Sequence, residues 1–200
     1  MARPAKNPGN GSRDRILAAA AAVLSEKGYS ATRLTDIAEV AQLRAPAVYY
    51  YFDSREALVA EVMIVGQQWV RRHVTEALDA LPPGIPALDR LCVAVDAHLR
   101  VELELSDFAT AVTRNAGQLP AELRAQVGRE SAEYHAIWRG LIADGQSDGS
   151  IRTDIDPRSA RMLIIGALNW APEWWRATRQ SIDVLIGTAQ SFIRAGLTEH

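Results

Sequence analysis

The chain has 200 residues, a net charge of −2 and 48% hydrophobic residues, enough for a sizeable core in one large domain or two small ones. Its longest uninterrupted apolar run, residues 16–24, is far short of the roughly 20 residues that span a bilayer, and it ends in Ser25-Glu26-Lys27 like a helix rather than a signal peptide. The single cysteine, Cys92, excludes an internal disulfide framework and fits a reducing cytoplasm.

The charge is unevenly placed. Residues 1–60 carry eight Lys/Arg and six Asp/Glu, and the remainder carries 14 and 18. A basic end on an acidic body suits a polyanionic partner at that end.

Residues 1–12 offer little to bury and read as a basic arm. Thereafter the pattern is helical, with no alternating run that suits a strand. The first helix is expected over 13–27, capped by Ser12 and ended by Gly28. A second covers 35–41 with Thr35 as N-cap, and a third covers 45–51. Ser54 caps a long fourth helix, 55–80, about 39 Å at 1.5 Å per residue. Pro82-Pro83-Gly84 stops it. A fifth helix follows over 86–104, with Leu88, Leu91, Cys92, Val95, Leu99 and Leu103 inward. The sixth spans 107–116 and the seventh 120–144, and 144–156 reads as a Gly/Ser/Asp loop. Asp156-Pro157 opens the eighth, with a kink or restart expected at Pro172. Ser181 caps the ninth, 182–197.

Residues 34–53 carry the functional signal. Two short helices flank a three- or four-residue turn, Ile37, Val40, Ala41, Leu43 and Val48 form a shared core, and Ala38 permits close approach. This is the shape of a helix-turn-helix, whose second helix enters the major groove of DNA.

Here the chain resembles the TetR (tetracycline-repressor) family. Lys27-Gly28-Tyr29, Thr32, Thr35-Asp36-Ile37-Ala38, the Ala-Val-Tyr-Tyr-Tyr-Phe run over 47–52 and Ser54-Arg55-Glu56-Ala57-Leu58 carry the resemblance at the family spacing. Gln42 stands where the family usually has glycine in the turn, and Arg44 where the recognition helix usually has a Ser or Thr cap. The resemblance implies an all-α fold of about nine helices: a flexible arm (1–12), a three-helix DNA-binding domain (13–58, with the helix-turn-helix at 34–53) and a larger ligand-binding and dimerisation domain (59–200). It also implies a DNA-binding regulator that binds a palindromic operator as a homodimer and is released by a small hydrophobic effector.

By chemistry and by that resemblance, Thr35, Tyr49 and Arg55 are expected at phosphates, which set register without reading sequence. Arg44, Ala45, Ala47 and Tyr50 are expected at base edges, where arginine suits guanine and alanine a thymine methyl. Arg3 and Lys6 of the arm suit the adjacent minor groove. The alternative reading is that Tyr49, Tyr51 and Phe52 pack the small domain, which suits Phe52 best and Tyr49 least.

Helices 8 and 9 are apolar over wide faces and are expected to pair with a twin in a four-helix bundle through Trp170, Trp174, Ile182, Leu185, Ile186, Ala189, Phe192 and Ile193. Trp69, His98, Phe108, Val112, Tyr134, Trp138, Met162 and Asn169 are candidates to line an effector cavity, as isolated polar groups among apolar ones orient a ligand. Satisfied polar residues of the core are the alternative reading for each of them. Gly166-Ala-Leu-Asn-Trp170 followed by Glu173-Trp-Trp175 is similar to family members linked to fatty-acid or steroid degradation and acyl-CoA thioesters.

No enzyme, metal or cofactor is expected. The stretch from Asp144 to Gly149 echoes a calcium loop but has Ile155 at the twelfth position in place of the bidentate glutamate. His73, His98, His135 and His200 lack metal-ligand spacing. Gly9-Asn10-Gly11 lacks the strand and the later glycine of a dinucleotide fingerprint. The competing function is a helical ligand-binding or enzymatic protein with a degenerate DNA motif.

Overall fold

The computed structural model describes residues 11–105 and 107–198. Arg3 and Lys6 lie outside them. The described residues form helices α1 (Ser12–Lys27), α2 (Leu34–Val40), α3 (Ala45–Tyr51), α4 (Arg55–Asp79), α5 (Ala87–Arg100), α6 (Asp107–Asn115), α7 (Ala121–Asp148), α8 (Pro157–Trp174) and α9 (Ile182–Leu197), with a π-helical turn at Val101–Leu105. No strand occurs among the described residues.

The chain divides into two compact units that interleave in sequence. One holds residues 1–69 and 105–131, the other 70–104 and 132–200. The sequence-based boundary at residue 58 follows the helix-turn-helix, whereas the first unit takes in α6 and the start of α7, to Ser131, as well.

The first unit is built around α1, which packs on α2 and α6. Its run of alanines leaves Ala19, Ala20 and Ala21 buried along with Ile16, Leu17, Val23 and Leu24, so neighbours approach closely on several sides. Gly28, at φ 78, ends the helix as expected. Ser12 is the first helical residue rather than the cap, which is Gly11. Gly66 of α4 permits the approach of α6: a Cβ there would lie 2.4 Å from the Phe108 carbonyl oxygen and 2.5 Å from Val112 Cγ2. Buried Asn115, at the end of α6, accepts from the Tyr29 backbone N–H at 2.6 Å and donates to the Leu24 and Ala111 carbonyls.

In the second unit α5 packs on α9 and α8. Leu91, Val95 and Leu99 of α5, Trp138 and Ile142 of α7, Ile164 and Leu168 of α8, and Leu185 and Ile186 of α9 are buried. Asp156 and Ser181 cap α8 and α9, accepting from Ser159 N–H and Asp183 N–H. Helix α7 runs four residues beyond its expected end. Gly145 lies within it and lets Ile151 pack closely, 2.5 Å from where a Cβ would stand. Nor does Pro172 break α8, which continues to Trp174. The proline ring removes the N–H that would bond the Leu168 carbonyl and crowds that carbonyl, but only two helical residues follow it. No helix among the described residues is long and apolar enough to cross a membrane.

Candidate nucleic-acid interface and effector site

Helices α2 and α3 share the buried side chains Ile37, Ala38, Ala41 and Val48, with Leu43 packed against them, whereas Val40, expected in this core, is exposed. The turn between them is a Schellman closure. The Gln42 N–H donates to Glu39 O at 3.0 Å, and the Leu43 N–H donates to Ala38 O at 2.9 Å. This requires a left-handed residue at position 42, and Gln42 takes φ 55, the one non-glycine residue with positive φ among the described residues. The strain is of order 1 kcal/mol.

Three arginines brace this motif. Arg15 of α1 donates to the Ala41 carbonyl at 2.5 Å. Arg13 pairs with Glu61 at 2.6 Å and lies over the Phe52 ring, 5.0 Å from its centroid. Arg55 faces inward: Nε donates to Thr32 O at 2.8 Å, Nη2 to Tyr29 O, and Nη1 meets Glu56, while the guanidinium stacks on the Tyr29 ring at 4.3 Å. The expected phosphate ligand is thus placed as a clamp on the loop between α1 and α2. A composition-level reading cannot find this, because the acceptors are backbone carbonyls. Lys27 and Asp36 pair at 2.9 Å across the same loop, and that contact lowers the aspartate pKa and raises that of the lysine.

The outer face of α3 is left open. Tyr50 is 82% and Tyr49 58% exposed, Arg44 is exposed, and Ala45 and Ala47 are half-buried beside them. Thr35 is exposed on α2, in its first turn rather than at the cap position, which Arg33 occupies. Phe52 is buried, and Tyr51 packs edge-on against Tyr50, with ring centroids 5.0 Å apart.

Of the expected effector residues, the second unit brings four together. His98 Nδ1 and the Tyr134 hydroxyl are 2.6 Å apart, and the Trp138 ring meets both at about 6 Å. Asn169 neighbours His98. Burial lowers the His98 pKa to about 4 against the opposing pull of the Asn169 amide, so the imidazole is neutral at pH 7. Burial also raises the Tyr134 hydroxyl well above its ordinary value. His98 also faces the Asn169 side chain and the Trp138 N–H faces the Tyr134 hydroxyl, with His98 Nε2 and Trp138 Nε1 short of good hydrogen-bonding geometry. Buried polar groups held this loosely are what a polar ligand group could engage.

The remaining four are placed elsewhere. Phe108 and Val112 belong to the first unit, packed against Gly66, so they fill a core rather than line a cavity. Trp69, half-buried, is the last residue of that unit's first segment. Met162 is 50% exposed.

The candidate dimer face is also redrawn. Ile182, Leu185 and Ile186 are buried within the protomer, where α9 meets α5. The Gln190 side chain donates to Cys92 O, and Arg194 pairs with Asp89, on the same side. Trp170, Trp174 and Phe192 are at least half exposed, as are Leu163 and Val184, which the sequence reading omitted. They flank an apolar groove of about 270 Å³ between α8 and α9, in which Ala189 and Ile193 also take part.

A pair of short helices locked by a left-handed turn, with the second presenting an open tyrosine-rich face, defines a helix-turn-helix DNA-binding protein. Residues 16–62 match the family of bacterial regulatory proteins called tetR, and residues 84–196, more than half the chain, match the tetracyclin repressor-like C-terminal domain. The chain belongs to the TetR family of transcriptional regulators. It is 28% identical over 174 residues to the HTH-type transcriptional repressor KstR2 of Rhodococcus jostii, covering 84% of this chain and 81% of that protein. The fold is shared with FadR of Bacillus subtilis in complex with stearoyl-CoA (TM-score 0.73, 22% identity, 92% of this chain and 98% of that one). It is also shared with AibR in complex with isovaleryl coenzyme A and operator DNA (TM-score 0.80, 18% identity, 92% and 96%).

Proposed function

We propose that this chain is a cytoplasmic, non-catalytic repressor that binds a palindromic operator as a homodimer and leaves it when a small, largely apolar effector binds. The observation that carries the reading is the open face of α3, held rigidly over the α2–α3 core by the Schellman turn. Tyr49 and Thr35 contact phosphates, while Arg44, Ala45, Ala47 and Tyr50 meet base edges. Arg55 acts behind α3, holding the loop that presents it. The exposed stripe of Leu163, Trp170, Trp174 and Phe192 pairs with its copy.

The loosely satisfied polar atoms of the His98–Tyr134–Trp138 cluster support an effector site, and the acyl-CoA complexes of FadR and AibR support its class. Helix α4 is continuous from the helix-turn-helix into the second unit and is the natural path for release. Two recognition helices must lie roughly 34–36 Å apart, or a multiple, to reach both half-sites. An effector that prefers the misplaced spacing by about 1–3 kcal/mol lowers operator affinity roughly 5- to 150-fold.

A mobility-shift titration on the DNA upstream of the protein's own gene tests this. Affinity should fall steeply between about 50 and 200 mM salt. Tyr49→Phe should weaken binding to all sequences alike, and Arg44→Ala should relax preference at one base pair. Salt-insensitive binding would sink the model.

A further inference from the structure

We propose that Arg139 of α7 with Arg158 and Arg161 of α8 forms a phosphate-binding site, and that it takes the phosphates of a coenzyme A thioester. The proposal rests on the effector reading above and adds where a charged headgroup would be held. These arginines and Pro157 line an open pocket of about 430 Å³ within the second unit, large enough for a diphosphate rather than a single ion. Arg161 Nε is buried there without a hydrogen-bond partner.

His135, one helical turn before Arg139, faces the same cations. Its Nδ1 is likewise buried and unpartnered. Its pKa is lowered first by burial and then by the charges of Arg161 and Arg139, the two guanidinium groups it faces. The acidic group beside Arg158 is Asp156, but its carboxylate caps α8, accepting from Ser159 N–H at 2.7 Å. Other arginines of this unit have carboxylates: Arg152 with Asp154, Arg194 with Asp89 and Arg100 with Asp183. Among the described residues, no carboxylate pairs with Arg139 or Arg161. Guanidinium groups gathered without counter-charge suit phosphate oxygens, which they grip two at a time.

The position on α7 links this pocket to the buried cluster. Tyr134 and His135 are consecutive, with ring centroids 6.3 Å apart. The first bonds to His98 and the second faces the arginines. A ligand with phosphates at one end and a less polar tail at the other matches that sequence of environments.

The test is calorimetric titration of the full-length protein with coenzyme A, pantetheine and inorganic phosphate, on the wild type and on Arg139→Gln/Arg161→Gln. Coenzyme A should bind the wild type, and the double variant should weaken it about tenfold or more. Pantetheine, which lacks the phosphates, should be indifferent to the change. Arg158→Gln, at an exposed position, gives a second reading should the double variant lose its fold, with a smaller loss in the same direction. Equal affinity of coenzyme A for wild type and variants overturns the proposal, as does no binding to the wild type. Inorganic phosphate binding as tightly as coenzyme A would reduce the site to an ion site and overturn the thioester assignment. Operator binding by the ligand-free proteins is measured alongside. Its loss in the wild type would count against the repressor reading, whatever the titrations show.

Discussion

Asn115 and Tyr29 are 86 residues apart in sequence and joined by a 2.6 Å hydrogen bond from the tyrosine backbone N–H to the asparagine carbonyl oxygen. The same side chain also donates to Leu24 O, a carbonyl that already accepts from the Gly28 N–H at the end of α1. Asn115→Ala should cost about 1–3 kcal/mol, since it leaves the Tyr29 N–H without its partner. Urea unfolding measures this, and a loss below about 0.5 kcal/mol would show that water replaces the link without penalty.

Gly66→Ala has two opposing effects. Within a helix the added methyl favours folding by up to about 1 kcal/mol. Here it would lie 2.4 Å from the Phe108 carbonyl oxygen, so α4 and α6 must separate. We expect net destabilisation of about 1–3 kcal/mol, typical of overpacking. A stabilised Gly66→Ala variant would mean that the two helices separate freely.

The depressed His98 pKa makes stability pH-dependent. The ring is neutral in the folded chain down to about pH 4, whereas its ordinary value is 6.5. Between those values the unfolded chain binds the extra proton. Stability is full above pH 6.5, falls as pH drops towards 4 and is level below, for a total of order 3 kcal/mol. His98→Gln should flatten this window when melting temperatures are compared from pH 7 to 4. An unchanged slope would place the dependence on other groups.

Trp170→Glu with Phe192→Glu should convert the dimer to a monomer, because both rings stand on the exposed stripe. Sedimentation velocity reads the change directly, and operator affinity should fall with it as two half-sites are no longer engaged together. Leu185→Ala is the counter-test. Its side chain is buried in the protomer, so it should lower stability by about 2–5 kcal/mol and leave the association state intact.

Much of this organisation was legible from residue patterns, for local reasons. Asp156 and Ser181 mark helix starts because a side-chain oxygen within reach of the next N–H groups is a short-range device. Gln42 could be read as strained because the turn demands a left-handed residue whatever the rest of the chain does. The failures are long-range. Helix α9 is apolar on two sides, and only the position of α5 decides that Ile182, Leu185 and Ile186 face inward while Phe192 faces out. Val112 looks like any pocket-lining valine until Gly66 is placed against it. Arg55 looks like a phosphate ligand until the Tyr29 and Thr32 carbonyls are placed around it.

The interleaving of the two units limits how such a protein can be taken apart. The DNA-reading unit is made of two stretches of chain separated by 35 residues that belong elsewhere. A fragment cut after residue 69 would keep the complete helix-turn-helix and lose Phe108, Ala111, Val112 and Asn115, uncovering the side of α1 on which they pack. Grafting this reading head onto another sensor, whether by an engineer or by recombination, requires transplanting residues 105–131 with it. The natural unit of exchange is thus the whole chain, and new specificities in this architecture are more readily reached by point substitution than by shuffling parts.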